Sequence, residues 1–247
     1  FGGETHAACR LALTAWSREA AGCQYPAEAR ALGAAITACS LPPVARAAVS
    51  QALFELLAQQ RGQSVSELLS ARPSGRGLPD SHVLVRDADD AAAVGEGAKT
   101  LKIKVGSGGT TDTEGDGADD DMARVRMIRA RVGDDIVLRL DANGGWSPAA
   151  VRRVWPALIA LRVDVIEEPC DLRLATNRAF IASLRDEFDG PGGQPQVFAD
   201  EACRSVSDLA TLSDVVDGVV VKPMLVGGVD VAATLCSAAA QRGLSVI

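Results

Sequence analysis

Val137-Leu138-Arg139-Leu140-Asp141-Ala142-Asn143, running into Gly144-Gly145, is an apolar stretch that closes on a carboxylate and an amide. A parallel strand buried on both faces reads as a near-continuous Val/Leu run, so an acid at its last position stands at the rim of the hydrophobic layer. The same grammar recurs downstream in Val163-Asp164-Val165-Ile166-Glu167-Glu168-Pro169, in Val197-Phe198-Ala199-Asp200-Glu201 and in Gly218-Val219-Val220-Val221-Lys222-Pro223. Upstream it occurs in Leu101-Lys102-Ile103-Lys104-Val105-Gly106. Five strand-like runs thus carry a charged residue at or near their ends.

Helical patterns separate these runs. The spacing predicts strands near 81–86, 101–106, 136–142, 163–167, 196–200 and 218–222, with another beginning at 244. Helices are expected between them near 88–98, 118–131, 147–160, 173–187, 205–213 and 228–242. Parallel strands need crossovers and helices supply them, so the fold class is α/β. Seven strand starts with six intervening helices are the arithmetic of a TIM-type (β/α) barrel lacking its last unit. A doubly wound open sheet is the alternative, disfavoured because no G-x-G-x-x-G follows the first strand.

The N-terminal part reads differently. Residues 4–20 and 43–60 have apolar positions at helical spacing, Pro42-Pro43 is a start signal, and Ser64 to Glu67 has the spacing of a capping box. The turn-rich Arg72-Pro73-Ser74-Gly75-Arg76-Gly77 suggests a boundary that gives a helical region over 1–76 and the barrel over 77–247. Ser107 to Asp121 is Gly- and acid-rich and is expected to be a solvated loop, since the fixed ligand positions of a calcium loop are absent. The chain opens at Phe1 and stops within a strand-like Leu244-Ser245-Val246-Ile247, so the expectation is a piece of a longer polypeptide.

Composition narrows the function. A net charge of -7, with 32 acids against 25 bases and no long basic block, disfavours nucleic acid and anionic membrane as partners. No apolar run approaches the roughly 20 residues of a spanning helix. Six cysteines without C-x-x-C or zinc spacing are expected to be reduced packing thiols. The expected compartment is cytoplasmic, with an organelle such as a plastid left open. Only His6 and His82 are available for imidazole chemistry.

In a TIM barrel the C-terminal strand ends share one mouth. Asp141, Glu167 or Glu168, and Asp200 therefore meet there, and three carboxylates repel one another unless a cation intervenes. Oxygen-only ligation selects a hard ion such as Mg²⁺ over Zn²⁺. Glu167 and Glu168 face opposite sides of a strand, so period alone expects only one to point inward. Lys102 and Lys104 share a strand face, and Lys222 stands across the mouth. A partly desolvated lysine beside a divalent ion and a second lysine loses its proton more easily, which makes Lys104 a candidate base. The expected chemistry is abstraction of an α-proton from a small carboxylate substrate, with stabilisation of the enediolate.

These stretches resemble the enolase superfamily, and within it the o-succinylbenzoate synthases. The resemblance runs through Leu101 to Gly106, Leu138 to Asn143, Ile166 to Cys170, Ala199 to Glu201 and Val221 to Gly228, with the opening Phe1-Gly2-Gly3-Glu4-Thr5 also similar. It implies that Asp141, Glu167 and Asp200 bind Mg²⁺, that Lys104 abstracts the proton with Lys102 in support, and that Lys222 stabilises the intermediate from the opposite side. It assigns Asn143 to substrate or water. It implies dehydration of 2-succinyl-6-hydroxy-2,4-cyclohexadiene-1-carboxylate to 2-succinylbenzoate in menaquinone or phylloquinone synthesis, a lyase reaction. The N-succinylamino-acid racemases match every one of these motifs and are the close rival; a non-catalytic module of a larger biosynthetic protein is the rival from another class. The helical region over 1–76 then corresponds to part of an α+β capping domain without its sheet.

Overall fold

The computed structural model describes residues 4–69, 81–93, 98–106, 117–190 and 193–247. The connector at 72–77, most of the acidic Gly-rich stretch and the end of the helix expected near 88–98 lie outside the described residues. The chain clusters into two compact units, one drawn from 1–77 with Arg204–Val206 and Val221–Val246, the other from 78–203 with Ser207–Val220 and Ile247.

The first unit begins with helices α1 (His6–Ala20), α2 (Ala29–Thr37), α3 (Pro43–Arg61) and α4 (Val65–Leu69). Thr5 caps α1 by accepting from Ala8 N–H, while Pro43 opens α3 and Gly62, in the left-handed region, closes it. The capping box at α4 is formed as its spacing suggests: Ser64 Oγ accepts from Glu67 N–H, and Glu67 accepts from Ser64 N–H. Helix α2 was not anticipated, because Glu28 at its N-cap makes no side-chain cap bond. Its signal is the i, i+4 pair Leu32 and Ile36, buried with Phe54 and Leu57 of α3.

In the second unit the strands β1 (His82–Val85), β2 (Thr100–Lys104), β3 (Val137–Asp141), β4 (Val165–Glu167), β5 (Gln196–Ala199) and β6 (Gly218–Val219) pair in chain order, each parallel to the next. Helices α5 (Ala88–Ala93), α6 (Ala118–Val132), α7 (Pro148–Ala160), α8 (Ala175–Glu187) and α9 (Val206–Leu212) lie between successive strands in sequence. This is the parallel α/β arrangement of a truncated barrel. One face of the strands carries Leu101, Ile103, Leu138, Leu140, Ile166 and Val197, all buried. Buried helix positions such as Val125, Ile128, Val151, Val154, Trp155, Leu158, Ile181 and Leu184 complete the apolar core. Each such side chain contributes about 1.5–3 kcal/mol by leaving water.

The opposite strand face holds Val165 and Phe198, which form a buried cluster with Val220. The Phe198 ring explains Gly218: a Cβ there would lie 2.4 Å from the ring. Because side-chain direction repeats every two residues, Glu167 and Asp200, two positions beyond Val165 and Phe198, belong to this face at its C-terminal rim.

The strand expected over 218–222 is shorter than its apolar run, since only Gly218–Val219 pairs. Pro223 lacks an N–H and fixes φ, so it opens the short helix α10 (Pro223–Val226) with Lys222 at its N-cap. Helix α11 (Val229–Gln241) and strand β7 (Ser245–Val246) complete the first unit.

Candidate active site and metal centre

Strand register places the site residues. Lys102 is aligned with Arg139, Lys104 with Asp141, and Asp141 with Glu167 across β2, β3 and β4. Two tiers of charge result: Lys102 and Arg139 on one, Lys104, Asp141 and Glu167 on the next toward the C-terminal end. Asp200 follows directly after β5 and is buried, as are Asp141 and Glu167. Each of these three acids offers an oxygen, and the three oxygens lie within 4.8 Å of one another. Mg²⁺ coordinates at about 2.0–2.1 Å, so oxygens across its shell stand roughly 4.2 Å apart. The three-carboxylate, all-oxygen donor set is therefore suited to Mg²⁺.

Cations line this cluster. Lys102 Nζ reaches Asp141 Oδ2 at 2.7 Å and Glu167 Oε2 at 2.8 Å, and Lys104 Nζ reaches Asp141 Oδ2 at 2.6 Å. Arg139 pairs with Glu167 through its Nε. Burial pushes the Asp141 carboxyl up, but the hydrogen bonds and charges of Lys102 and Lys104 outweigh it and hold the group below the ordinary carboxylate range. Exposure separates the two lysines: the Lys102 side chain is 11% exposed, that of Lys104 49%. Lys104 is the amine of the pair that a ligand in the mouth can touch. Its Nζ also donates to Asn143 Oδ1, while Asn143 Nδ2 donates to Glu201 Oε1 at 3.3 Å.

Both acids of the Glu-Glu pair are buried, which period-two reasoning did not anticipate. Glu168 leaves the strand geometry with φ 41° and turns its carboxylate onto backbone. Its Oε2 accepts from Asp200 N–H at 2.8 Å and its Oε1 from Leu172 N–H at 3.4 Å. Burial raises its pKa to about 7, against the backbone donors of Asp200, Leu172 and Ala202. Glu168 thus ties the exit of β4 to the peptide of Asp200. Asn143, with φ 47°, is the other left-handed non-glycine residue beside the cluster. Such conformations cost of order 1–3 kcal/mol and gather at functional sites.

Arg139 also escaped the sequence reading. Its signal was available: it stands two residues before Asp141 and therefore on the same strand face. Lys222 belongs to the other compact unit, half-buried at the N-cap of α10. All six cysteines are free, and burial raises the thiols of Cys170 and Cys203 to about 12, as befits packing residues. Among the described residues no helix is long and apolar enough to cross a membrane.

A family model described as enolase C-terminal domain-like matches residues 84–247. A hydrophobic dipeptide epimerase from Roseobacter litoralis is 35% identical over 215 residues, 84% of this chain and 57% of that protein. An N-succinyl-L-Arg/Lys racemase from Bacillus cereus is 29% identical over 211 residues, 82% of this chain and 52% of that protein. The crystal structure of a dipeptide epimerase from Enterococcus faecalis, complexed with Mg and the dipeptide L-Leu-L-Tyr, superposes with a TM-score of 0.80 at 26% identity, over 100% of this chain and 66% of that one. The chain spans about half the length of the curated relatives it matches.

Proposed function

Because the chain belongs to the enolase C-terminal domain-like family, we propose that it carries the catalytic barrel of a Mg²⁺-dependent epimerase or racemase acting at the α-carbon of an N-acylated amino acid, a dipeptide foremost. The observation that carries this reading is the half-exposed Lys104 ammonium beside a buried cluster of three carboxylates. Asp141, Glu167 and Asp200 are the proposed ligands. Mg²⁺ held there would supply positive charge beside a substrate carboxylate.

The chain's own groups do the rest. Lys104, at the rim, takes the α-proton from one face of the substrate or returns it there. Lys102, behind it and in contact with both Asp141 and Glu167, holds those carboxylates in place. Asn143 orients the Lys104 amine through its Oδ1. Lys222 serves the opposite face, so a proton removed by one lysine is replaced by the other and the configuration inverts.

The second reading is dehydration of 2-succinyl-6-hydroxy-2,4-cyclohexadiene-1-carboxylate, favoured by the sequence motifs. It uses the same first step, and lysines and carboxylates alone do not separate the two. The relatives reported above are epimerases and racemases, which puts 1,1-proton transfer first. The test is to assay the full-length protein with Mg²⁺ on dipeptides, on N-succinylamino acids and on the cyclohexadiene carboxylate. Inversion of a dipeptide or N-succinylamino acid supports the proposal; dehydration without inversion overturns it in favour of the synthase.

A further inference from the structure

Two clusters of polar side chains outside the carboxylate site hold backbone, one directly after Lys104 and the other at the far end of the short helix that Lys222 opens. In the second unit, Asp121 of α6 is buried although charged. Its Oδ2 accepts from Gly106 N–H at 2.8 Å and from Trp146 Nε1 at 3.2 Å. Its Oδ1 accepts from Arg124 at 2.6 Å. Arg124 in turn donates to the carbonyl of Lys104 at 2.7 Å and to that of Arg86, just past β1, at 3.0 Å. Val105 N–H between them donates to the Asp141 carbonyl at 2.9 Å. Both peptide groups that follow Lys104 are therefore held, one by Arg124 and Asp141, the other by Asp121. The Val105 bond is the last rung of the β2–β3 ladder; the Asp121 and Arg124 bonds lie outside that ladder, and together they fix where the Lys104 side chain starts.

In the first unit an analogous clamp acts near Lys222. Arg46 of α3 donates through Nε to the Gly227 carbonyl at 3.0 Å, at the end of the four-residue helix that Lys222 caps. Ser50 of α3 accepts from Val229 N–H at 3.1 Å and donates to Asp230 at 2.9 Å. Gly227 is required there, since its φ is 96° and a Cβ would lie 2.1 Å from the Arg46 guanidinium.

We propose that Asp121 with Arg124 is the positioning pair of Lys104, and Arg46 with Ser50 that of Lys222, so that each lysine is aimed by its own clamp. The assignment rests on the two-base proton-transfer reading above. A misplacement of about 1 Å at a reacting group costs about 10²-fold, whereas a merely structural role lowers both directions together.

The test is exchange of the substrate α-proton in D₂O, followed by NMR for each enantiomer with the full-length Mg²⁺ enzyme. Lys104→Ala and Lys222→Ala identify which enantiomer each lysine serves. The isosteric Asp121→Asn and the charge-conserving Arg46→Lys are used beside the alanine variants, so that a variant that fails to fold does not decide the outcome. Asp121→Asn lowers exchange on the Lys104 side by about 30-fold or more and on the other side by less than about threefold; Arg46→Lys does the reverse. Equal losses on both sides, or none, overturn the proposal. Amine labelling with acetic anhydride, read by peptide mass spectrometry without substrate, gives a second readout: Asp121→Asn changes the rate at Lys104 but not at Lys222, and Arg46→Lys the converse. If the wild type exchanges neither dipeptides nor N-succinylamino acids, the functional reading fails, and the labelling pattern alone supports or overturns the clamps.

Discussion

Lys102 and Lys104 differ by one turn of the strand period and by about fourfold in side-chain exposure. Lys104→Ala is expected to reduce turnover by about 10²–10⁴-fold while Mg²⁺ still binds, checked by assay alongside a metal titration. Survival of activity would remove Lys104 as the base. Lys102→Ala leaves Asp141 and Glu167 buried without their shared cation, and is expected to destabilise the metal-free protein by about 3 kcal/mol in urea unfolding. Glu168 supplies a pH prediction. Its carboxyl is raised from 4.5 to about 7 by burial, so between those values the native state holds a proton that the unfolded chain has released. The contribution of Glu168 to the stability of the metal-free protein is thus fully present below the lower value and is lost as pH rises through the window, by up to about 3 kcal/mol. Glu168→Gln is expected to abolish that slope in melting curves recorded from pH 4.5 to 7.5; an unchanged slope contradicts the burial of an ionisable Glu168.

Among the elements, the exits of β2 and β3 approach so closely that only glycine fits. A Cβ on Gly145 would lie 2.2 Å from the Gly106 carbonyl oxygen, and backbone on both sides leaves it no room to give. Gly145→Ala is expected to cost about 1–3 kcal/mol in chemical unfolding and to weaken catalysis, because Lys104 and Asn143 start from the two backbones that would part. The strands were legible in the sequence because each is a short apolar run with an acid or lysine at its rim; Asp141 and Asp200 followed from that pattern, whereas the choice of Glu167 over Glu168 came only from the family resemblance. What periodicity could not reach is backbone that leaves the strand. The φ of 41° at Glu168 sends its carboxylate onto the Asp200 peptide, and the proline after Lys222 ends β6 early. The weakly capped α2 went unread for a local reason, its N-cap carrying no hydrogen-bonding side chain engaged with the helix.

For the molecule as a whole, the truncated parallel barrel and the match over residues 84–247 agree with the architecture read from alternating strands and helices. The finer choice between dehydration and inversion was not legible, because it depends on what the mouth holds and not on the groups that activate the α-carbon. The proposed chemistry depends on one feature, a Mg²⁺ ion held by Asp141, Glu167 and Asp200, whose carboxylate oxygens lie within 4.8 Å of one another. Its most direct test is calorimetric titration of Mg²⁺ into the metal-free full-length protein and into Asp141→Asn, Glu167→Gln and Asp200→Asn. One ion per site is expected in the wild type, with each variant weaker by on the order of a hundredfold. Wild-type protein that binds no ion, or variants that bind it as tightly as wild type, would contradict the account.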